Sequence, residues 1–292
     1  MTTDHFDLAL LQQWVGKRDT VHDVVRPEAV AALAATLDAP PVATALPPLW
    51  HWINFWAIAP HAQLGDDGHP QRGGFLPPVP LPRRMWAGGR LRFHAPLQVG
   101  HAIERTSTIG AVTDKRGASG HLVFVTVQHE IRQDGQLAIS EEHDIVYRDM
   151  PAPGSASAAP KAAPADWQWA DTITPDPVLL FRYSALTFNG HRIHYDRPYV
   201  TAVEGYPGLV VHGPLIATLL LQALQRALPT AQVADFSFRA VAPLFDTAPF
   251  QVCGKLAADG LSVKLWAQNQ HGQLAMQADA VLLAAVPAPL TR

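Results

Sequence analysis

Leu122-Val-Phe-Val-Thr-Val-Gln-His-Glu-Ile131, Asp134-Gly-Gln-Leu-Ala138 and Glu142-His-Asp-Ile-Val-Tyr147 close the first half of this 292-residue chain. The second half closes on Leu261-Ser-Val-Lys-Leu-Trp-Ala-Gln268, His271-Gly-Gln-Leu-Ala275 and Ala278-Asp-Ala-Val-Leu-Leu-Ala284. Each set is a strand-like run, a turn carrying Gly-Gln-Leu-Ala, and a second strand-like run, which is a hairpin pattern. Upstream, Phe93-His-Ala-Pro-Leu97 is echoed by Arg239-Ala-Val-Ala-Pro-Leu244, each opening a strand pair. The same three elements in the same order predict a duplicated fold.

A helix precedes the strands of the second half. Pro214-Leu-Ile-Ala-Thr-Leu-Leu-Leu-Gln-Ala-Leu-Gln-Arg-Ala-Leu228 has Pro in its first turn and stops before Pro229. It is apolar nearly all round as far as Gln222, so it should be buried. The first-half counterpart is less distinct; Leu49-Trp-His-Trp-Ile-Asn-Phe-Trp-Ala-Ile58 is the candidate, although its aromatic content also suits a strand. A buried helix followed by antiparallel strands, twice over, predicts an α+β fold in which a sheet wraps a helix. Between the halves, Pro151 to Pro164 is Pro, Ala, Ser and Gly with one charge, the composition of a linker. The expected organisation is a first half at 1–150, a linker at 151–165 and a second half at 166–292.

Apolar residues make up 48% of the chain and charged ones 16%, enough for a sizeable core. With 22 Lys+Arg against 25 Asp+Glu, the net charge of -3 argues against a nucleic-acid binder, which shows a basic face. The single Cys253 excludes a disulfide framework and suits a reducing compartment. No long uncharged apolar run predicts a membrane span, and the start lacks a basic and then apolar leader. A cytoplasmic protein is expected.

Phe181-Arg-Tyr-Ser-Ala-Leu-Thr-Phe-Asn-Gly-His-Arg-Ile-His-Tyr-Asp196 concentrates polar and titratable groups between apolar flanks. A region that keeps such groups out of water carries a desolvation cost, which points to function. His191 and His194, with Asp196 or His212, lie at a spacing that could hold a cation, but His-x-x-His alone is a weak signal, so no metal is expected. With 14 His in the chain, any single one, such as His51 or His94, most simply satisfies a core hydrogen bond. The acid/base alternative rests on His194, whose imidazole can move a proton near neutrality, with Asn189 able to orient water but not to transfer protons. His212-Gly213-Pro214 leads directly into the apolar helix. A Gly N–H at a helix start faces outward, where the dipole favours negative charge such as a developing enolate oxygen.

Ser184-Ala-Leu-Thr-Phe-Asn-Gly-His-Arg-Ile-His-Tyr-Asp196 with Gly205-Tyr-Pro-Gly-Leu-Val-Val-His-Gly-Pro-Leu215 resembles the hydratase motif of the MaoC-like hot-dog enzymes. Within them the chain is similar to the type-2 hydroxyacyl-thioester dehydratases, which Pro82-Arg-Arg-Met-Trp-Ala-Gly-Gly-Arg-Leu91 also resembles. The resemblance covers most of the chain. It implies a double hot-dog in which one half, here the second, keeps the catalytic motif, and reversible addition of water to an enoyl-CoA. It further implies a short dicarboxylic substrate such as mesaconyl-C4-CoA or itaconyl-CoA, which would place the chain in itaconate degradation, with CoA entering only as part of the substrate and no other cofactor. The family's motif has Asp five residues before its His, where this chain has Asn189, and Arg192 stands where an Asn-Pro step ends. The expectation is therefore that His194 is the principal base, Asn189 positions water and Gly213 N–H holds the enolate, while Asp196 and Glu204 are candidates for a second acid.

Substrate contacts are expected from Arg182 and Arg192 toward a distal carboxylate, and from Tyr183, Phe188 and His212 beside the base. Arg84 and Arg90, in the cluster with Arg83 and Arg92, are candidates for phosphate or carboxylate contact, since Arg forks match such oxyanions. The aromatic run from Trp50 to Trp56 with Trp86 either lines an acyl tunnel or packs the core. Two rival readings stand beside hydration: thioester hydrolysis on the same fold, and a non-catalytic acyl-thioester-binding subunit, suggested by the missing Asp. Sheet edges of this kind pair readily, so a homodimer is compatible with the sequence.

Overall fold

Alternating apolar runs and Gly turns fold into one antiparallel sheet in the computed structural model, which describes residues 7–117, 120–149 and 159–287. The first half contributes α1 (Leu8–Gln12), β1 (Arg18–Val24), α2 (Pro27–Thr36), β2 (Arg83–Phe93), β3 (Ala102–Gly117), β4 (Gly120–Gln133) and β5 (Gln136–Arg148). The second contributes β6 (Trp169–Ile173), α3 (Pro177–Leu186), α4 (Arg197–Ala202), α5 (Gly213–Ala227), β7 (Val233–Ala240), β8 (Phe250–Leu256), β9 (Ser262–Asn269) and β10 (Leu274–Leu282). Strand order across the sheet is β1-β3-β4-β5-β2-β7-β10-β9-β8-β6. Numbered within its own half, each set of five strands runs first, third, fourth, fifth, second, and the two sets meet at their second strands. Residues 151–158 of the expected linker lie outside the described residues.

The duplicated motifs also make duplicated contacts. His94 and Ala95 N–H both donate to the Ala138 carbonyl, at 2.8 and 3.2 Å. Val241 and Ala242 N–H do the same to Ala275, at 2.8 and 3.1 Å. These segments follow β2 and β7 and carry the chain into the next strand pair. In the first hairpin, Asp134 and Gly135 both take positive φ, 51° and 76°, between the paired Gln133 and Gln136. That is the two-residue turn whose twist matches the strands it joins.

The halves join along β2 and β7, in register from Gly88↔Arg239 to Arg92↔Asp235. A side chain at Gly88 would sit 2.4 Å from the Phe238 carbonyl oxygen, so this joint needs glycine. Apolar residues of both halves share one core, with Leu91, Ile103 and Ile139 in the same cluster as Leu220, Phe236 and Val263.

The helix α5 is buried as expected. Leu215, Leu219, Leu220 and Leu224 are each at most 4% exposed, and α5 packs on β6, β8, β9 and β10. Burial of each such side chain contributes about 1.5–3 kcal/mol. The first half departs from expectation, because 49–58 forms neither a helix nor a strand but a single 3-10 turn, Trp50–Ile53. Leu49 and Phe55 take positive φ, 71° and 58°, on either side of it, which stops a helix at both ends. Its fixing point is polar. The buried Glu141 carboxylate accepts from Trp52 Nε1 at 2.8 Å and pairs with His51 at 3.0 Å and with His143. Burial raises the Glu141 pKa, but His143 and His51 outweigh it and hold the carboxyl well below the usual range. His51 thus satisfies a core hydrogen bond, while His94 bonds Ser140 at 2.9 Å. Trp50 is buried, and Trp52 packs against Trp86 and Phe238.

Candidate functional site

Helix α3 begins under an Asp176 cap, its carboxylate accepting from Leu179 N–H at 2.7 Å, and ends at Thr187. The chain then reverses through Phe188 at φ 51°, and Asn189 N–H returns to the Ser184 carbonyl at 2.8 Å. Asn189 Oδ1 accepts from His191 N–H at 3.0 Å, a local turn that leads into the 3-10 turn Arg192–His194. His194 is delivered buried, with Nδ1 2.7 Å from the Val210 carbonyl oxygen. A carbonyl only accepts, so Nδ1 carries the hydrogen and Nε2 keeps its lone pair. Burial pushes the His194 pKa down to about 4 against the pull of the Val210 bond, so the imidazole is a neutral base at pH 7.

Three more imidazoles stand in file with it. His212, at the N-cap of α5, stacks on His194 with ring centroids 3.7 Å apart and bonds Ser184 Oγ at 2.8 Å. On the other side His191 meets His194 edge to face at 5.4 Å, and His69 lies 4.2 Å beyond His191. Burial pushes His191 down to about 2, holds His212 well below the usual range and lowers His69. Gly213, the first residue of α5, has no acceptor for its N–H among the described residues. An added Cβ there would approach nothing closer than 4.0 Å. A free helix-start N–H thus lies one residue from the stacked His212.

His69 was not anticipated. It arrives on a tight turn, with Gly65 N–H donating to the His69 carbonyl at 2.8 Å and Gly68 N–H to the Gly65 carbonyl at 2.9 Å. Asp67 holds it twice, accepting from the His69 backbone N–H at 2.9 Å and from Nδ1 at 3.0 Å. Burial raises the Asp67 pKa, but His69 more than reverses this and leaves the carboxyl well below its usual range. The turn is seated on the loop that carries His191 and His194. Arg192 N–H donates to the Asp67 carbonyl at 2.9 Å, and a Cβ on Gly68 would fall 2.0 Å from the Gly190 carbonyl oxygen. Asp67, His69 and His191 each offer a ligand-type atom within 4.8 Å of the others, the one such group among the described residues. Two of the three, Asp67 and His69, are already hydrogen-bonded to each other.

Several expected contacts are corrected. Arg192 is not free for a substrate carboxylate: Nε and Nη2 donate to Asp196 at 2.9 and 2.7 Å, Nη1 donates to the Asp66 carbonyl at 2.9 Å, and the guanidinium lies over Tyr199. Asp196 is thereby paired, and it also caps α4 by accepting from Tyr199 N–H at 3.1 Å. Glu204 pairs with Arg83 at 2.8 Å and accepts from Tyr199 Oη. Neither carboxylate is available as a second acid. Arg182 is exposed on α3, outside the buried file. Arg90 is bound to Glu142 and Asp144, which raise its pKa. Tyr183 is buried edge-on against His212, and Phe188 is stacked on Trp56 at 5.0 Å. Arg84 differs from these. Half-buried on β2, it makes no ion pair among the described residues; it interacts with the Tyr147 hydroxyl, and its charge opposes protonation of His69 and His191.

The family description "Hydroxyacyl-thioester dehydratase type 2" matches residues 49–246. The chain is 50% identical over 269 residues, 91% of its length and 95% of the relative's, to the mesaconyl-C(4)-CoA hydratase of Chloroflexus aurantiacus. Among solved structures it is similar in fold to a MaoC-like dehydratase from Phytophthora capsici, with a TM-score of 0.70 and 12% identity over 97% of this chain and all of that one. It is also similar to a conserved hypothetical protein of Mycobacterium tuberculosis described as a double hotdog fold, with a TM-score of 0.57 and 15% identity over 92% and 96% of the two chains.

Proposed function

We propose, from the premise that this chain belongs to the hydroxyacyl-thioester dehydratase type 2 family and is a hydro-lyase, that it adds water reversibly to a short dicarboxylic enoyl-CoA of the mesaconyl-C4 type. The observation that carries the reading is a base and an oxyanion donor at one place. His194 keeps an unprotonated Nε2 because Nδ1 is spent on Val210, and the unpaired Gly213 N–H lies just beyond the His212 ring stacked on it. A thioester oxygen on that N–H meets the positive end of α5 as it gains charge, and loss of one such donor typically costs ~10²–10³ in rate. His212, itself held by Ser184, stacks on the His194 ring, and Val210 fixes the His194 tautomer.

Arg84 supports a dicarboxylic substrate. A half-buried guanidinium without a carboxylate partner among the described residues, close to the imidazole file, matches the distal carboxylate of such an acyl group. Water addition is redox-neutral, and in this reading CoA is the only cofactor-like group, brought in with the substrate. The single Cys253, buried and reduced, fits a cytoplasmic site of action. Itaconyl-CoA, and so itaconate degradation, is the nearest other substrate assignment, and the outer edges of β1 and β6, unpaired among the described strands, would allow a homodimer.

The test is a panel of crotonyl-, mesaconyl-C4-, mesaconyl-C1- and itaconyl-CoA, followed by mass spectrometry for gain of one water and by a thiol reagent for CoA release. Hydration favouring a dicarboxylic substrate, with the preference lost in Arg84→Gln through a raised KM, is the expected result. Hydration of crotonyl-CoA alone overturns the substrate assignment. Thiol release without hydration, or binding without turnover, overturns the reaction.

A further inference from the structure

Removal of water from a 3-hydroxyacyl thioester moves two protons, one off C2 and one onto the departing hydroxyl. His194 offers a single free nitrogen for this work. Asn189 transfers no proton, Asp196 and Glu204 are bound in ion pairs, and His212 is fully buried with Nε2 on Ser184. His191, between His194 and His69, is held neutral by burial and has no carboxylate hydrogen-bonded to its ring among the described residues, whereas the structure brings in from the other half of the chain an imidazole that has one.

We propose that His69, held by Asp67, is the acid that serves the hydroxyl at C3 while His194 serves C2, an assignment that rests on the hydratase reading above. Asp67 accepts from His69 Nδ1 at 3.0 Å and clamps the backbone N–H of the same residue at 2.9 Å, which presents Nε2 as the working nitrogen. Burial and the Arg84 charge disfavour the imidazolium that an acid must pass through, and the Asp67 carboxylate on Nδ1 offsets part of that cost. The order of the rings follows the order of the substrate atoms. With the thioester oxygen at Gly213, the ring nearer the start of α5 is His194, and His69 lies farther out beyond His191. C2 is one bond from the thioester carbon and C3 is two.

In the dehydration direction the cycle starts with His69 as the imidazolium, its second proton on Nε2; His194 Nε2 takes the C2 proton, and the C–H electron pair becomes the enolate held at the Gly213 N–H. The enolate collapses to the C2=C3 double bond, the C3–O bond breaks with its pair on oxygen, and the hydroxyl takes a proton from His69 Nε2 and leaves as water. The proton now on His194 returns to His69 through His191 or solvent, so no co-reactant is consumed. Hydration is the same sequence reversed. Asp67 is a positioning residue in this scheme, since it acts through His69.

The test compares wild type, His69→Gln, Asp67→Asn and His194→Gln on two substrates: the 3-hydroxyacyl-CoA that wild type dehydrates, and its 3-chloro analogue. Chloride leaves without a proton, so its elimination needs the C2 base but not the acid. The expected result is that His69→Gln lowers kcat on the hydroxy substrate by ~10²–10⁴-fold with little change in KM, yet stays within about tenfold of wild type on the chloro substrate. His194→Gln should lose both reactions, and Asp67→Asn should show the selective loss of His69→Gln in weaker form. Equal loss on both substrates in His69→Gln and Asp67→Asn means a structural role and overturns the proposal, as does full activity of His69→Gln on the hydroxy substrate. Wild type inactive on every hydroxyacyl- and enoyl-CoA would instead overturn the hydratase reading itself.

Discussion

Replacing Gly68 by Ala should separate the turn that carries His69 from the loop that carries His194. The new Cβ would lie 2.0 Å from the Gly190 carbonyl oxygen, whereas real Cβ contacts stay beyond 3.0 Å, so the two backbones must part by about 1 Å. Gly68 also sits at φ 85°, and forcing an L residue there adds roughly 1–2 kcal/mol. Parting the loops strains the Arg192 N–H bond to the Asp67 carbonyl and the Arg192 Nη1 bond to the Asp66 carbonyl. At about 0.5–1.5 kcal/mol each these bring the local cost to ~2–5 kcal/mol. A displacement of that size near reacting groups lowers turnover by ~10²-fold. Gly16→Ala is the matched control, because Gly16 has φ 84° but nothing within 4 Å of an added Cβ. Steady-state hydration kinetics and thermal melting of both variants decide the matter. Gly68→Ala should lose turnover while Gly16→Ala loses only a little stability. If the two behave alike, the seating of the turn on the His194 loop does not matter to the reaction.

Three other perturbations follow from the same geometry. Glu141→Gln should lower stability by ~3–5 kcal/mol, because it uncouples a buried carboxylate from His51, His143 and Trp52, and calorimetry showing an unchanged Tm would refute that role. Acid should weaken the fold early. His194, lowered to about 4, and His191, lowered to about 2, bind protons in the unfolded chain near pH 6.5 but not in the folded one, so their contribution is present above ~6.5 and lost as pH falls toward 4. Urea midpoints at pH 7 and pH 5 measure this, and a flat response would contradict it. Arg192→Ala should reduce stability and activity together without altering the preference between mono- and dicarboxylic substrates, since its fork is spent on Asp196 and Asp66; a selective rise in KM for the dicarboxylic substrate would count against that.

Elements built from local sequence were legible, and elements that depend on distant segments were not. The hairpin at Asp134-Gly135 and the helix from Gly213 announce themselves through turn chemistry and continuous apolar residues. His194 and Gly213 stand out by type and spacing, in a segment whose sequence already departs from its apolar flanks. Asp67 and His69 lie more than a hundred residues upstream, in Gly65-Asp-Asp-Gly-His-Pro70, which by composition reads as a surface turn. The signal that would have found them is the pair of glycines, Gly68 and Gly190, which meet only because two loops dock backbone to backbone. The arginines misled for a related reason. Charge marks a residue as able to bind an oxyanion, but whether Asp196 or a substrate carboxylate supplies that anion is decided by folding. The missing first-half helix was hidden in the same way, because the buried Glu141 that anchors the turn in its place lies some ninety residues downstream.

Because β2 and β7 pair along five registered positions and the core runs through both halves, cutting the peptide connection between Arg148 and Lys161 leaves the contacts that join the halves in place. The chain is in effect a heterodimer written as one gene. Cut there, or expressed as two polypeptides in one cell, the halves should find each other and restore activity, since one brings Asp67, His69 and Arg84 and the other His191, His194 and Gly213. Genetic lesions would sort accordingly: a full-length copy damaged at His69 and another damaged at His194 each carry one ruined centre, whereas intact half-chains supplied separately would complement them.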